Sequence, residues 1–217
     1  MTRLFSTLLI LASALVAHAG VQQIDFTGVG HIYVLQSDSW QTATPKQKVG
    51  CLDDYGKFVN DQTKACGTFS RLNNYPYTLS SKHGNCTFED KTQPRNTDSI
   101  YGGADYAWNC QNNYKTEIYD ELYTIDGFPY VFLCFGDFGC YYDAKKTPSG
   151  HEILALWQYR WGSQQMGITP GHVQLQLLWK KLGDLPKRED ETKIPSPRIE
   201  ISEGMQVPLE GRRAKDY

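Results

Sequence analysis

Val173-Gln174-Leu175-Gln176-Leu177-Leu178-Trp179-Lys180 decides the fold class. Val173, Leu175, Leu177 and Trp179 recur at every second residue against Gln174, Gln176 and Lys180, the period of a strand whose neighbouring side chains face opposite ways. A helix over 171–182 is the competing reading. His151 to Trp161 alternates in the same manner after its first turn, with Trp157, Tyr159 and Trp161 on one face and Gln158 and Arg160 on the other. Two amphipathic strands need a common core, so both are expected to pack on, or pair within, one sheet layer. Val29 to Leu35 reads as a short buried strand. Thr116 to Ile125 and Phe128 to Cys134 flank Asp126-Gly127, which predicts a two-residue hairpin turn, with Pro129 placing the second strand at an edge. With 14 Tyr, 9 Phe and 5 Trp, the composition also favours strands. The expected fold is all-β, a β-sandwich or small barrel, stapled by disulfides and followed by an irregular C-terminal tail.

Three segments are expected. Residues 1–19 read as a signal peptide: Arg3 precedes an apolar run from Leu4 to Val16, and Ala17-His18-Ala19 supplies a small-x-small cleavage site. Residues 20–182 form one domain. Residues 183–217 form a charged, Pro-containing tail in which Ile194 to Ile201 could lie as an extended strap, and Lys187-Arg188 and Arg212-Arg213 offer dibasic processing sites. The apolar run is too short to span a bilayer and no later stretch is long enough, so the product is expected to be secreted and extracellular.

All six cysteines lie between Cys51 and Cys140, an even number that reads as three disulfides in an exported chain. Cys134 and Cys140 enclose Phe-Gly-Asp-Phe-Gly, a reversing loop that lets them face each other. Spacing suggests Cys51–Cys66 and Cys86–Cys110 for the rest. No Cys-x2-Cys pair is present, so no metal is expected, and nothing in the sequence calls for a cofactor. Asn85-Cys86-Thr87 is an N-glycosylation acceptor in which early oxidation of Cys86 competes with modification of Asn85.

Candidate catalytic groups are few. His151, Glu152 and His172 are the set a secreted ribonuclease or glycosidase would need, since two groups of suitable pKa must converge on one substrate. His151 and His172 occupy similar turns, Thr147-Pro148-Ser149-Gly150-His151 and Thr169-Pro170-Gly171-His172. If the strands that follow were adjacent and antiparallel, these histidines would lie about 30 Å apart at about 3.3 Å per residue. Glu117, Asp120 and Glu121 fall in a predicted strand that would put Glu117 and Glu121 on one face. Asp53, Asp54 and Asp61 read as a solvated loop. No nucleophile elbow and no His-Glu-x-x-His helix occurs.

The charge pattern disfavours nucleic acid. The leader holds one of the 22 basic residues, Arg3, and none of the 24 acidic ones, so the mature chain is acidic by about −3, with its Lys and Arg scattered. The aromatics suggest a different role. Tyr75, Tyr77, Trp108 and Tyr114 sit among asparagines and glycines, the combination that covers the apolar faces of a sugar or peptide while amides bond its polar edges. Trp157, Trp161 and Trp179 are assigned to the core.

The layout of signal peptide, six cysteines, Tyr/Asn/Gly-rich loops and dibasic tail resembles the small secreted cysteine-rich proteins of filamentous fungi, the class from which host-directed effectors come. That resemblance implies an extracellular or host-directed role, often by binding to a glycan or host protein rather than by catalysis. A hydrolase is the alternative, and a structural role in a cell wall or extracellular matrix is a third.

Overall fold

The computed structural model describes residues 21–22, 26–72, 77–137 and 139–185. The predicted signal peptide and all of the tail beyond Leu185, with both dibasic pairs and the Ile194–Ile201 strap, lie outside them. In chain order the strands are β1 Val21–Gln22, β2 Val29–Gln36, β3 Lys48–Leu52, β4 Phe58–Val59, β5 Phe69–Arg71, β6 Leu79–Ser81 and β7 Gly84–Thr87. They continue with β8 Asn109–Gln111, β9 Thr124–Ile125, β10 Phe132–Leu133, β11 Tyr141–Ala144, β12 Ile153–Leu154, β13 Trp157–Gln158 and β14 Val173–Gly183.

The two longest strands, β2 and β14, form the spine. They pair antiparallel from Leu175↔Gln36 to Gly183↔Val29. Each is longer than its other neighbours, so each carries two partners on its outer side. β2 pairs with β5 near its start and β3 near its end, whereas β14 pairs with β11 near its start and β10 further along. The resulting twelve-stranded sheet is antiparallel throughout and curls around its core, and β1 with β9 makes a separate two-stranded ribbon.

Alternation sorts the spine into two apolar clusters. Ile32, Val34, Leu175, Leu177 and Trp179 face the main core with Phe58, Phe69, Trp108 and Tyr142. Leu35 and Leu178, from the opposite faces of the same strands, enter a second cluster with Phe132, Cys134 and Cys140. Sealing a Leu, Ile or Phe from water contributes about 1.5–3 kcal/mol each, so the two-sided burial of Leu175 to Trp179 makes the middle of β14 a large part of the core's stability.

All three disulfides form as expected: Cys51–Cys66, Cys86–Cys110 and Cys134–Cys140. Cys86 and Cys110 sit directly opposite each other on β7 and β8.

Two local expectations need correction. Asp126-Gly127 forms a turn with Gly127 at the expected positive φ of 86°, but Ile125 pairs with Val21 and not with Phe128, so the turn does not close a two-residue hairpin. Tyr123 and Cys134 exchange both backbone hydrogen bonds, closing a longer loop. The ring of Phe128 stacks on Trp40 with centroids 3.9 Å apart, which draws the loop onto the second cluster instead of leaving it as a projecting hairpin. At the start of this region Ile118–Asp120 is a 3-10 turn, because the Asp120 carboxylate accepts the Glu117 backbone N–H at 2.7 Å. Glu117 and Glu121 are therefore not paired carboxylates on one strand face.

The alternation of His151 to Trp161 is divided between two short strands. β12 pairs with β4 and β13 with β11. Because β11 also pairs with β14, it separates β13 from β14, and the two run parallel within one sheet. β13 ends at Gln158, so Trp161 has no sheet beneath it and is 67% exposed, contrary to its expected place in the core. Trp157 and Trp179 are buried as expected.

Candidate functional site

The predicted catalytic trio does not assemble. His151 is exposed in its turn. Glu152 is bound by the Lys146 ammonium and by the backbone N–H and hydroxyl of Ser149 at 2.8 and 2.9 Å. These donors, Lys146 foremost, pull its pKa down to about 2, so near neutral pH it is an ion with no proton to give. His172 follows the second turn, where its Nδ1 meets Asp143 and its Nε2 meets Asp98 at 3.2 Å, beneath the Trp157 ring. Among the described residues, no hydrogen bond or ion pair joins His172 to His151 or Glu152.

The Asp143 carboxylate is buried on β11 and accepts three side-chain donors: His172, the Thr169 hydroxyl, and Asn96 Nδ2 at 3.1 Å. Lys145 completes the network by pairing with Asp98 at 3.0 Å. The arrangement fastens the loop bearing Asn96 and Asp98 to the sheet. Both nitrogens of His172 are taken by carboxylates, which leaves neither facing a substrate.

Four further aspartates are engaged in the same way. Asp53 pairs with Lys64 at 2.6 Å, and Lys82 and Lys48 neutralise Asp54 and Asp61 respectively. Asp120 is buried against the Tyr114 hydroxyl, which donates at 3.1 Å. Among the described residues no group of His, Cys, Asp and Glu is arranged to hold a metal ion, and no helix is long and apolar enough to cross a membrane.

Of the expected binding aromatics, Tyr75 lies outside the described residues. Tyr77 is partly exposed with the Arg71 guanidinium over its ring at 5.2 Å. Trp108 is only 1% exposed, packed against Phe88 and against Gly56, so it presents no ring to a ligand. Tyr114 is spent on the Asp120 contact. Asn85, the predicted glycosylation site, lies within β7, and its Nδ2 donates to the Tyr114 carbonyl at 2.8 Å.

An exposed aromatic surface outside the predicted set lies beyond the end of β13. Tyr159, Trp161, Gly162, Ser163, Met166 and Gly167 line an open cleft of about 480 Å³. Gly162 and Gln165 exchange backbone hydrogen bonds at 3.0 and 3.1 Å, which makes Ser163-Gln164 a two-residue turn and lifts Trp161 and Met166 into solvent. Met166 is 91% exposed. The Tyr101 ring packs on Gly162 from behind, its hydroxyl bonded to Ser163 Oγ at 3.2 Å and accepting the Gln164 N–H at 2.9 Å. Arg160 pairs with Asp105 at 2.7 Å at the base of the turn.

Sequence reasoning missed this cleft because Trp161 continues the alternation of Trp157 and Tyr159. The signal that marks it is Gly162-Ser163-Gln164-Gln165, a polar turn beginning one residue after Trp161. No protein-family model matches this chain, and no curated protein or solved structure matches it either.

Proposed function

We propose that this is a secreted, non-enzymatic binding protein that receives an apolar side chain of a partner polypeptide in the Trp161 cleft. The observation that carries the reading is the exposure of Trp161 and Met166 together beside a cavity of about 480 Å³. Leaving two large apolar side chains in water on one turn has no folding benefit, whereas a rigid aromatic and an adaptable thioether are the residues that anchor polypeptide contacts.

A glycan is the weaker candidate for this cleft. Sugar recognition needs several polar side chains ringing the aromatic face, and the described lining offers the hydroxyls of Tyr159 and Ser163, the latter already bonded to Tyr101. Catalysis is disfavoured by the separate engagement of Glu152 and His172. Three disulfides suit an oxidising, extracellular setting, which agrees with the leader-like residues 1–19 and with the effector-like layout.

Panning a displayed random-peptide library against the protein, with W161S as the counter-target, tests the reading. Peptides sharing an apolar anchor and binding at least about tenfold more weakly to W161S support it, since losing a central aromatic anchor removes 1.4 kcal/mol or more. An empty selection alongside glycan-array retention abolished in W161S transfers the site to a sugar. Retention of neither kind overturns the cleft as a binding site.

A further inference from the structure

We propose that Gln165 is the positioning residue of the Trp161 cleft, a role that rests on the reading of that cleft as the binding site. Gln165 is 4% exposed, although its turn neighbours Ser163 and Gln164 are exposed. Its carboxamide reaches inward to bond three separate points. Oε1 accepts the Ile100 backbone N–H at 2.7 Å and the Ser99 hydroxyl at 3.3 Å, and Nε2 donates to the Arg160 carbonyl at 3.0 Å.

Each bond fixes a different degree of freedom. The bond to Arg160 sets the backbone immediately before Trp161. The bonds to Ile100 and Ser99 hold the turn against the neighbouring loop, which supplies the Tyr101 ring behind Gly162. Ser99 Oγ also accepts the Gly102 N–H at 2.9 Å, so the hydroxyl braces the segment that carries Tyr101 on both sides of it. The outward contacts of the turn, Tyr101 with Ser163 and Arg160 with Asp105, are exposed to water and correspondingly weaker. The buried carboxamide is thus the contact that fixes where the indole of Trp161 stands, without itself lining the cleft.

The indole N–H resonances in a nitrogen–proton NMR correlation spectrum test this for the intact protein, with W161F assigning the Trp161 signal. Q165A should shift or broaden the Trp161 signal while the Trp40, Trp108, Trp157 and Trp179 signals keep their positions, and Q165E, which keeps an acceptor for Ile100 and Ser99 but sets an oxygen against the Arg160 carbonyl, should displace the Trp161 signal as well. Titration with N-acetyl-leucine methylamide as the apolar probe should then be weakened about tenfold by Q165A, the loss expected when about 1.4 kcal/mol of preorganisation is removed.

An unmoved Trp161 signal in Q165A overturns the proposal, as does movement of all the tryptophan signals together, which would make Gln165 a general stability residue. Should Q165A fail to fold, the same comparison is decided by Q165E. A wild-type protein that does not respond to the probe counts against the cleft as the binding site, while the indole signal still decides the role of Gln165.

Discussion

His172 Nε2 stands 3.2 Å from Asp98 Oδ2 while its Nδ1 faces the buried Asp143, so one imidazole links an exposed loop carboxylate to one inside the sheet. The His172 side chain is 4% exposed and that of Asp143 2%. Removing His172 takes one hydrogen-bond partner from the buried Asp143 carboxylate, and a buried acceptor left short of a donor typically costs about 1–3 kcal/mol, more when it is charged. Thr169 and Asn96 still donate to Asp143, so H172A is expected to lose about 2–3 kcal/mol, read from urea unfolding with an unchanged denaturant slope. D143N in the H172A background should recover part of that loss. A loss below about 0.5 kcal/mol would show that the pair contributes no more than an exposed ion pair.

Glu152 gives a pH-dependent counterpart at the surface. Its pKa of about 2 in the folded protein, set mainly by Lys146 and then by Ser149, lies below the ordinary 4.5. Because the folded value is the lower one, its stabilising contribution is fully present above pH 4.5 and is lost as pH falls through about 2. E152Q should therefore unfold at a lower denaturant concentration than the wild type at pH 7, and the two should converge near pH 2. Carboxyl carbon NMR would show the midpoint directly. A Glu152 midpoint at or above 4.5 would undo this reading and restore the residue as a candidate proton donor.

The fold was largely legible because its spine is written in the sequence. The apolar run at Val29–Leu35 and the alternation at Val173–Trp179 mark the two strands on which the large sheet is built, and pairing of cysteines close in sequence gives the staples. What failed was the reading of short segments, where tertiary contacts override local pattern. Trp161 completes an apolar alternation yet lies past the last residue of β13, and Asp126-Gly127 has hairpin chemistry yet sits in a loop drawn inward by Phe128 stacking on Trp40. Side chains such as Asp120 and Gln165 act on backbone groups at sites that residue type alone does not disclose. Trp108 illustrates the remaining difficulty: an aromatic beside asparagines can equally fill a core.

Asn85 tests the order of folding and modification. In the folded protein its amide donates to the Tyr114 carbonyl, Thr87 is buried, and the residue between them closes the Cys86–Cys110 bridge across β7 and β8. A glycan on Asn85 would have to be added before these strands pair. The protein secreted from a eukaryotic host is expected to carry mostly unmodified Asn85, and C86A/C110A, which removes the competing oxidation, should raise occupancy. Intact mass before and after enzymatic deglycosylation measures both. Full occupancy in the wild type would mean that glycosylation precedes β7–β8 pairing and that the Tyr114 contact is dispensable.

Gly162 allows the Tyr101 ring to lie flat behind the Trp161 turn. A Cβ placed there would fall 2.4 Å from Cζ of Tyr101 and 2.8 Å from its hydroxyl, so G162A must push the ring away. The displaced hydroxyl would lose Ser163 and the Gln164 N–H, the two contacts that hold its pKa below the ordinary 10. The sign follows from the phenolate: hydrogen bonds to its oxygen favour the charged form, and losing them returns the group upward. Ultraviolet titration of the tyrosines, with Y101F identifying the transition, should therefore show Tyr101 ionising at higher pH in G162A than in the wild type. G162A is also expected to weaken cleft binding, because the wall behind Trp161 has moved, at a stability cost of about 1 kcal/mol. An unchanged Tyr101 titration would mean that the added methyl is absorbed by the turn itself, with the Tyr101 ring left where it is.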